Sequence, residues 1–341
     1  MIKKTVAFSR ESTNLFFHIL TRCNLSCNHC YINCDQHGKT DLPFETIKKW
    51  LALFVENHSE TNVIFLGGEP TLHKDLSEAV KYARFLGYKS ITIDTNGYLF
   101  HNILDNITPE DLDFMSFSLD GATCETNDLI RGKGCYEKCV SGIKKAVLKG
   151  FKTSLIYTVS SSNFHELTMM PELLKDLGIN RFFIQVIGLR GNLSEENLSD
   201  LNFANNSSLQ VSRKQWLNKI PEVALKTANL GITVTYPKVF LNLNDSFECA
   251  GKVADNYFIF PNGRVYKCPL CEDYPMHGMI IKNNKLISTE KINETDLFNL
   301  DIPEGCVMNK LIQPGNLSYK KDGSAEYKVA CCLLKEEIKA Y

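Results

Sequence analysis

The stretch "TRCNLSCNHCYINC", residues 21–34, sets four cysteines within twelve positions, directly behind the apolar run "LFFHIL" (15–20). Cys23, Cys27 and Cys30 form Cys-x3-Cys-x2-Cys, with no proline and no β-branched residue between them. Such a loop can curl round a metal group and offer three sulfurs at once. Adding Cys34 would close a zinc tetrahedron, whereas three thiolates alone leave one metal position open. The stretch by itself allows both.

Working outward, five more apolar or β-branched runs follow: "NVIFL" (62–66), "KSITI" (89–93), "DFMSFSL" (113–119), "KTSLIYTV" (152–159) and "NRFFIQVI" (180–187). Between them the spacing predicts helices near 44–57, 73–86, 135–149 and 164–178, with room for only a short helix at 99–112. Strands alternating with helices mark βαβ units and a parallel sheet. Each strand runs into a polar motif: "TRCNLSCNHC", "GGEPT", "DTNG", "DGA", "SSSN" and "GLRGN". In a doubly wound sheet, as in a (β/α) barrel, chemistry gathers at the carboxyl ends of the strands, so these loops are expected to converge.

Lys+Arg (38) and Asp+Glu (39) nearly cancel, and no basic stripe appears, so electrostatics give no reason for a nucleic-acid partner. The N-terminus lacks an apolar signal core, and the longest apolar runs are too short to span a bilayer, which predicts a cytoplasmic protein without membrane attachment. Thirteen cysteines in 341 residues without an export signal point to metal or redox chemistry rather than a disulfide framework.

The cysteine spacing, with His29 and Tyr31 as the aromatics around its last member, followed by Gly67-Gly68-Glu69-Pro70, resembles the radical S-adenosylmethionine (radical SAM) superfamily over roughly residues 14–210. The resemblance implies a partial (β/α)6 barrel of TIM type. It also implies that Cys23, Cys27 and Cys30 hold a [4Fe-4S] cluster whose fourth iron is left open for the amino and carboxylate groups of S-adenosylmethionine. Cys34 is then a bystander. By matching positions, Gly67, Gly68, Glu69 and Pro70 resemble the segment that meets the methionine ammonium, and Tyr31 the aromatic beside adenine. Ser118 in "SLDG" and Arg131 in "IRG" resemble the residues facing the ribose and the methionine carboxylate.

The tail carries six of the cysteines. "YFIF" and "RVYK" flank "PNG" (261–263), a predicted hairpin with positive φ at Asn262 and Gly263. Helical period returns only in the final "LLKEEIKAY". Cys249-x13-Gly263-x4-Cys268 resembles the opening of SPASM and twitch extensions, which hold auxiliary [4Fe-4S] clusters. One auxiliary cluster is expected on Cys249, Cys268, Cys271 and a late cysteine, Cys331 being preferred over Cys306 and Cys332; a zinc ribbon is the alternative. The expected organisation is a barrel over 1–210, a connecting helix and strand over 211–244, and a small cysteine-rich iron-sulfur domain over 245–341. The Asn- and Ser-rich interval 190–211 reads as a loop. Cys135 and Cys139 share a helix face and read as core, while Cys124 follows "SLDGA" at the active rim.

The reading is therefore a radical SAM oxidoreductase-type enzyme acting on a peptide or protein, supplied with electrons by a low-potential donor such as ferredoxin or flavodoxin. The same chemistry on a small molecule, a tetrapyrrole side chain or an amino-sugar alcohol, is the alternative. A non-catalytic iron-sulfur or zinc scaffold would leave "GGEP", "SLDG" and "IRG" unexplained. With few residues ahead of Cys23, peptide recognition is expected to use the tail or a separate protein.

Overall fold

The computed structural model describes residues 2–6, 12–55, 60–194 and 209–339. Strand β1 (Ile2–Val6) is followed by β2 (Thr13–His18), the short helix α1 (Cys34–His37) and α2 (Phe44–Val55). The alternation continues through β3 (Thr61–Leu66), α3 (Leu76–Phe85), β4 (Ser90–Thr95), α4 (Ile103–Asn106), β5 (Phe114–Ser118), α5 (Cys124–Arg131) and α6 (Cys135–Leu148). Next come β6 (Thr153–Val159), α7 (Met170–Asp176), β7 (Arg181–Val186), α8 (Arg213–Asn229) and β8 (Thr233–Pro237). Strands β2 to β8 pair in chain order, all parallel.

Period-two burial explains why these runs are strands. Leu15 and Phe17, Val63 and Phe65, Ile91 and Ile93, Met115 and Phe117 are fully buried under the helices. In α2, Ile47, Trp50, Leu51 and Phe54 recur at the spacing that puts one helix face against them. The alternate face carries Asn14, Asn62, Thr92, Asp94, Ser116, Thr158 and Gln185. Asn62 donates to Asn14 at 2.9 Å and Asn14 to Asn256 at 3.1 Å, a ladder of amides across neighbouring strands. The sheet is thus uniformly apolar toward the helices and mixed toward the lumen, where Phe16, Ile64, Ile156 and Phe183 alternate with these polar residues.

The tail continues this sheet on both sides. It comprises β9 (Phe240–Leu241), α9 (Ala250–Val253), β10 (Asp255–Ile259), β11 (Arg264–Tyr266), β12 (Met279–Lys282), β13 (Lys285–Ser288), α10 (Glu294–Leu297), α11 (Val307–Ile312), β14 (Lys328–Val329) and β15 (Lys335–Lys339). The order is β1-β15-β8-β7-β6-β5-β4-β3-β2-β10-β11-β12-β13, which does not close on itself. Fold class is therefore α/β, an open partial barrel with extended edges.

Three local expectations change. "ITVTY" is not a mere connector, because β8 is a seventh parallel strand beside β7. The final "LLKEEIKAY" is not helical over 335–339: Glu336 and Ile338 are buried while Lys335 and Glu337 face the other way, and β15 pairs with β8 and β1. Of the "PNG" turn, Gly263 alone takes positive φ (84°). The Asn262 carboxamide instead accepts from the Arg264 N–H at 3.1 Å and donates to the Gln36 carbonyl at 2.8 Å. Most of the loop expected at 190–211 lies outside the described residues.

Candidate functional site

The cysteine loop leaves β2 and is pinned by backbone contacts from two other rim loops. The Asn28 N–H donates to Ile130 O and its carboxamide to Leu129 O, both at 3.0 Å. From the loop after β7, the Asn192 N–H donates to Cys30 O and its carboxamide to Cys27 O, both at 2.9 Å. Gly191 passes so close that a Cβ would lie 2.3 Å from Cys30 O and 2.4 Å from Tyr31 Cα, at a φ of +59°. Only glycine fits there. Burial pushes the Cys23 thiol up to about 11 and the Cys27 thiol up to about 12, and Cys30 adds to both; burial pushes Cys30 up as well, with Cys34 adding to it. The motif thiols cannot ionise together without a cation to share, which is what an iron cluster supplies. Cys34 opens α1, and its Sγ lies 3.9 Å from Thr21 O.

The "GGEP" segment packs edge-on against this loop. A Cβ on Gly68 would meet Thr21 O and Arg22 O at 2.4 Å, and one on Gly67 would meet Leu20 O at 2.8 Å. Glu69 is fully buried, and its carboxylate is already engaged. Oε1 accepts from the Thr71 N–H (3.0 Å), the Thr71 hydroxyl (2.5 Å) and the Thr95 hydroxyl (2.7 Å), while Oε2 accepts from the Asn96 N–H (2.7 Å). Burial pushes its pKa up against the pull of these donors. Glu69 therefore ties the loop after β3 to the loop after β4, and Pro70 opens the 3-10 turn it caps. The expectation that this carboxylate simply faces a cation changes accordingly.

At the other side of the loop, Asp120 is fully buried and takes Arg131 Nε at 2.7 Å and His29 Nε2 at 3.0 Å on one oxygen, and the Thr158 N–H at 2.7 Å on the other. Burial would raise its pKa, but Arg131 and His29 outweigh it and hold the carboxyl down to about 2. The Arg131 backbone carbonyl lies 3.8 Å from Cys27 Sγ. Its terminal guanidinium nitrogens make no hydrogen bond among the described residues, so a planar fork is left for a ligand carboxylate. Ser118 ends β5 close by, its carbonyl 3.6 Å from Cys139 Sγ. Tyr31 lies under the Arg190 guanidinium at 4.7 Å, and Arg190 is held in turn by Glu272 at 3.0 Å and Pro269 O at 2.6 Å. Asp120 was passed over in the sequence because neither partner is marked by a local period: Arg131 lies eleven residues on and His29 in another loop. Arg190 carried a signal, "GLRGN" behind a strand, but its acidic partners lie in the tail. Cys124 is exposed and sits 3.4 Å from Asp128, whereas Cys135 and Cys139 are buried, as expected of core.

The second group gathers Cys249, Cys268, Cys306, Cys331 and Cys332 around a cavity of about 30 Å³ otherwise lined by Phe247, Leu297, Phe298 and Met308. Cys271 is fully buried, and its thiol lies against that of Cys268 and pushes the latter's pKa up. Cys306 thus joins the cysteines that the spacing placed here. Glu294 holds the backbone beside Cys268: its carboxylate accepts from the Lys267 N–H (2.7 Å) and the Cys268 N–H (3.0 Å), and burial pushes it up to about 7. Among the described residues, no three His, Cys, Asp or Glu side chains converge tightly enough for a single ion. Several thiols around an apolar chamber fit a sulfur-ligated cluster by the chemistry of the donor set.

The hairpin β10–β11 braces the first loop. Phe260 stacks on His18 at 4.3 Å and on His37 at 3.8 Å, the residues that bracket the cysteine run. Gln36 donates to the Tyr266 hydroxyl at 2.9 Å. No helix among the described residues is long and apolar enough to cross a membrane.

Comparison with known proteins agrees with this geometry. The radical SAM superfamily profile matches residues 17–174. Fe-coproporphyrin III synthase of Methanosarcina barkeri is 33% identical over 199 residues, which cover 56% of this chain and 49% of that protein. The match thus spans about half the length of that relative. A probable GTP 3′,8-cyclase of Saccharolobus islandicus is 28% identical over 273 residues, covering 78% of this chain and 85% of the relative. In fold, Streptococcus suis SuiB bound to S-adenosylmethionine superposes with a TM-score of 0.59 at 14% identity, covering 88% of this chain and 73% of SuiB. Native anSMEcpe with bound AdoMet and the Cp18Cys peptide superposes with 0.58 at 17% identity, covering 91% and 84%. The chain carries a radical SAM superfamily domain over residues 17–174.

Proposed function

We propose that the chain is a radical SAM enzyme that cleaves S-adenosylmethionine reductively and removes a hydrogen atom from a peptide or protein substrate. The observation that carries this reading is the meeting of the three-cysteine loop with Arg131, whose carbonyl lies 3.8 Å from Cys27 Sγ and whose guanidinium is fixed through Nε by Asp120. Cys23, Cys27 and Cys30 would hold a [4Fe-4S] cluster. The chemistry so supplied is one-electron cleavage of the sulfonium and hydrogen-atom removal by the 5′-deoxyadenosyl radical. Arg131 receives the methionine carboxylate, Ser118 the ribose, and Tyr31 the adenine. Gly67 and Gly68 let the backbone approach the methionine ammonium, while Glu69 and Pro70 hold that loop in shape. Cys249, Cys268, Cys271 and a late cysteine, Cys331 or Cys306, would hold one auxiliary [4Fe-4S] cluster in a SPASM/twitch-like extension. Thirteen free cysteines accord with a reducing cytoplasm and a ferredoxin- or flavodoxin-type donor.

A peptide substrate is supported by solved neighbours of this fold that hold peptides, SuiB with its precursor SuiA and anSMEcpe with Cp18Cys. The names of the sequence relatives, a haem-related synthase and a probable nucleotide cyclase, favour the second reading, a small-molecule substrate. Anaerobic reconstitution followed by dithionite reduction with S-adenosylmethionine is the test. Formation of 5′-deoxyadenosine is expected from the wild type and not from the variant with Cys23, Cys27 and Cys30 all changed to Ala. A wild type that carries iron but makes none would refute the assignment.

A further inference from the structure

The loop after β7 joins the first cysteine loop to the tail, and both it and the tail lie outside residues 17–174. On one side the Asn192 N–H and carboxamide reach Cys30 O and Cys27 O, and the Arg190 guanidinium covers one face of the Tyr31 ring at 4.7 Å. On the other side the Leu189 N–H donates to Ile312 O of α11 at 2.8 Å, and Arg190 turns its edges to the segment 269–273. There Nη1 donates to Pro269 O at 2.6 Å, Nη2 donates to Glu272 at 3.0 Å, and Nε lies 3.2 Å from the Asp273 carboxylate. Pro269 stands between Cys268 and Cys271, and Glu272 and Asp273 follow directly.

These contacts leave Arg190 little freedom. Each nitrogen of its guanidinium meets a group of the tail, and the side chain is only 12% exposed. A planar cation gripped at its edges and stacked on an aromatic ring has one orientation, which it imposes on the ring beneath. The His18 ring meets Tyr31 edge-on at 6.2 Å and stacks on Phe260 at the end of β10, so a second element of the tail bears on the same ring. A base that stacks on Tyr31 would use the face opposite Arg190. A ring held in advance loses less freedom when that base arrives, and binding is tighter for it.

We infer that Arg190 is a positioning residue for the adenine end of S-adenosylmethionine, and that the tail, by anchoring Arg190, sets cofactor affinity at the first cysteine loop. This deepens the proposed function and rests on its assignment of Tyr31 to the adenine. The tail thereby acts on the first site without contributing a ligand to it.

The test uses the reconstituted full chain with its iron content measured, and reads S-adenosylmethionine affinity from the perturbation of the reduced cluster's paramagnetic resonance. Arg190→Gln is expected to raise the dissociation constant about tenfold. Arg190→Lys keeps the charge but not the three-edged grip; it is expected to lose part of that affinity, and it carries the test should the glutamine variant fold poorly. Glu272→Ala is expected to weaken binding in the same direction. Two double variants separate positioning from a general structural contribution. Arg190→Gln combined with Tyr31→Leu, and Arg190→Gln combined with Glu272→Ala, should each fall short of the product of the two single losses, because the ring or the anchor through which Arg190 acts is already gone. Losses that multiply in the first pair overturn the positioning role. Losses that multiply in the second, or wild-type affinity in Glu272→Ala, overturn the part given to the tail. Wild-type formation of 5′-deoxyadenosine is measured alongside: its absence at full iron content sinks the parent reading, whereas cleavage by the wild type with unchanged affinity in both Arg190 variants sinks this one only.

Discussion

Asp120 shows how one buried carboxylate can organise a site without touching a ligand. It fixes the Nε edge of Arg131 and leaves the terminal nitrogens without a hydrogen bond among the described residues, and the same oxygen takes His29 from inside the cysteine run. Loss of the Arg131 fork is expected to cost about 2–3 kcal/mol in S-adenosylmethionine binding. Lysine should rescue poorly, since a point charge lacks the planar double contact. Titrating Arg131→Ala and Arg131→Lys at full iron loading, with the reduced cluster's paramagnetic resonance as readout, checks this; wild-type affinity in both would leave Arg131 a structural partner of Asp120 alone. Arg131 was legible in "IRG", but its partner was not, because a contact across eleven residues and a turn leaves no period in the sequence.

Between elements, close backbone approach and buried carboxylates carry the architecture. A methyl group on Gly68 would collide with two carbonyls of the cysteine loop, neither of which can rotate away. Gly68→Ala is expected to destabilise the protein by about 1–3 kcal/mol or more and to lower iron content at the first site, leaving the second loaded. Urea unfolding and iron analysis of the variant report both. Glu294 offers a pH-dependent counterpart in the tail. Its folded pKa, about 7, lies above its ordinary value, so its contribution to stability is fully present at low pH and is lost as pH rises through about 7. Relative to Glu294→Gln, the wild type should lose about 1–2 kcal/mol between about pH 5.5 and 8, whatever the constant offset between the two. Parallel unfolding curves at both pH values would contradict a buried, neutral Glu294. The strands before residue 187 were legible because alternation writes burial directly into residue order. β15 was not: the charged "KEEIK" borrows its pairing from β8 and β1, which lie far away in sequence.

On the scale of the molecule, the two cysteine groups belong to one sheet. β10 pairs in parallel with β2, so the hairpin that leads to Cys268 also braces both flanks of the first cysteine loop through Phe260. Cys271→Ala is expected to lose the iron that survives in the variant with Cys23, Cys27 and Cys30 replaced, since its thiol lies against that of Cys268. Iron and sulfide analysis decides it, and iron retained in that variant would remove Cys271 from the ligand set read from spacing. By itself the sequence determined the parallel β/α alternation, the Cys-x3-Cys-x2-Cys loop and the placement of polar motifs at strand ends. Those are local properties, set by backbone period and ligand spacing within a few residues. Only the tertiary structure decided that Glu69 is consumed by four donors, that Cys306 joins the second cysteine group, and that a C-terminal strand pairs with β8. Each of these depends on which distant segment fills the space beside a residue, a quantity set by packing over the whole chain rather than by any stretch of it.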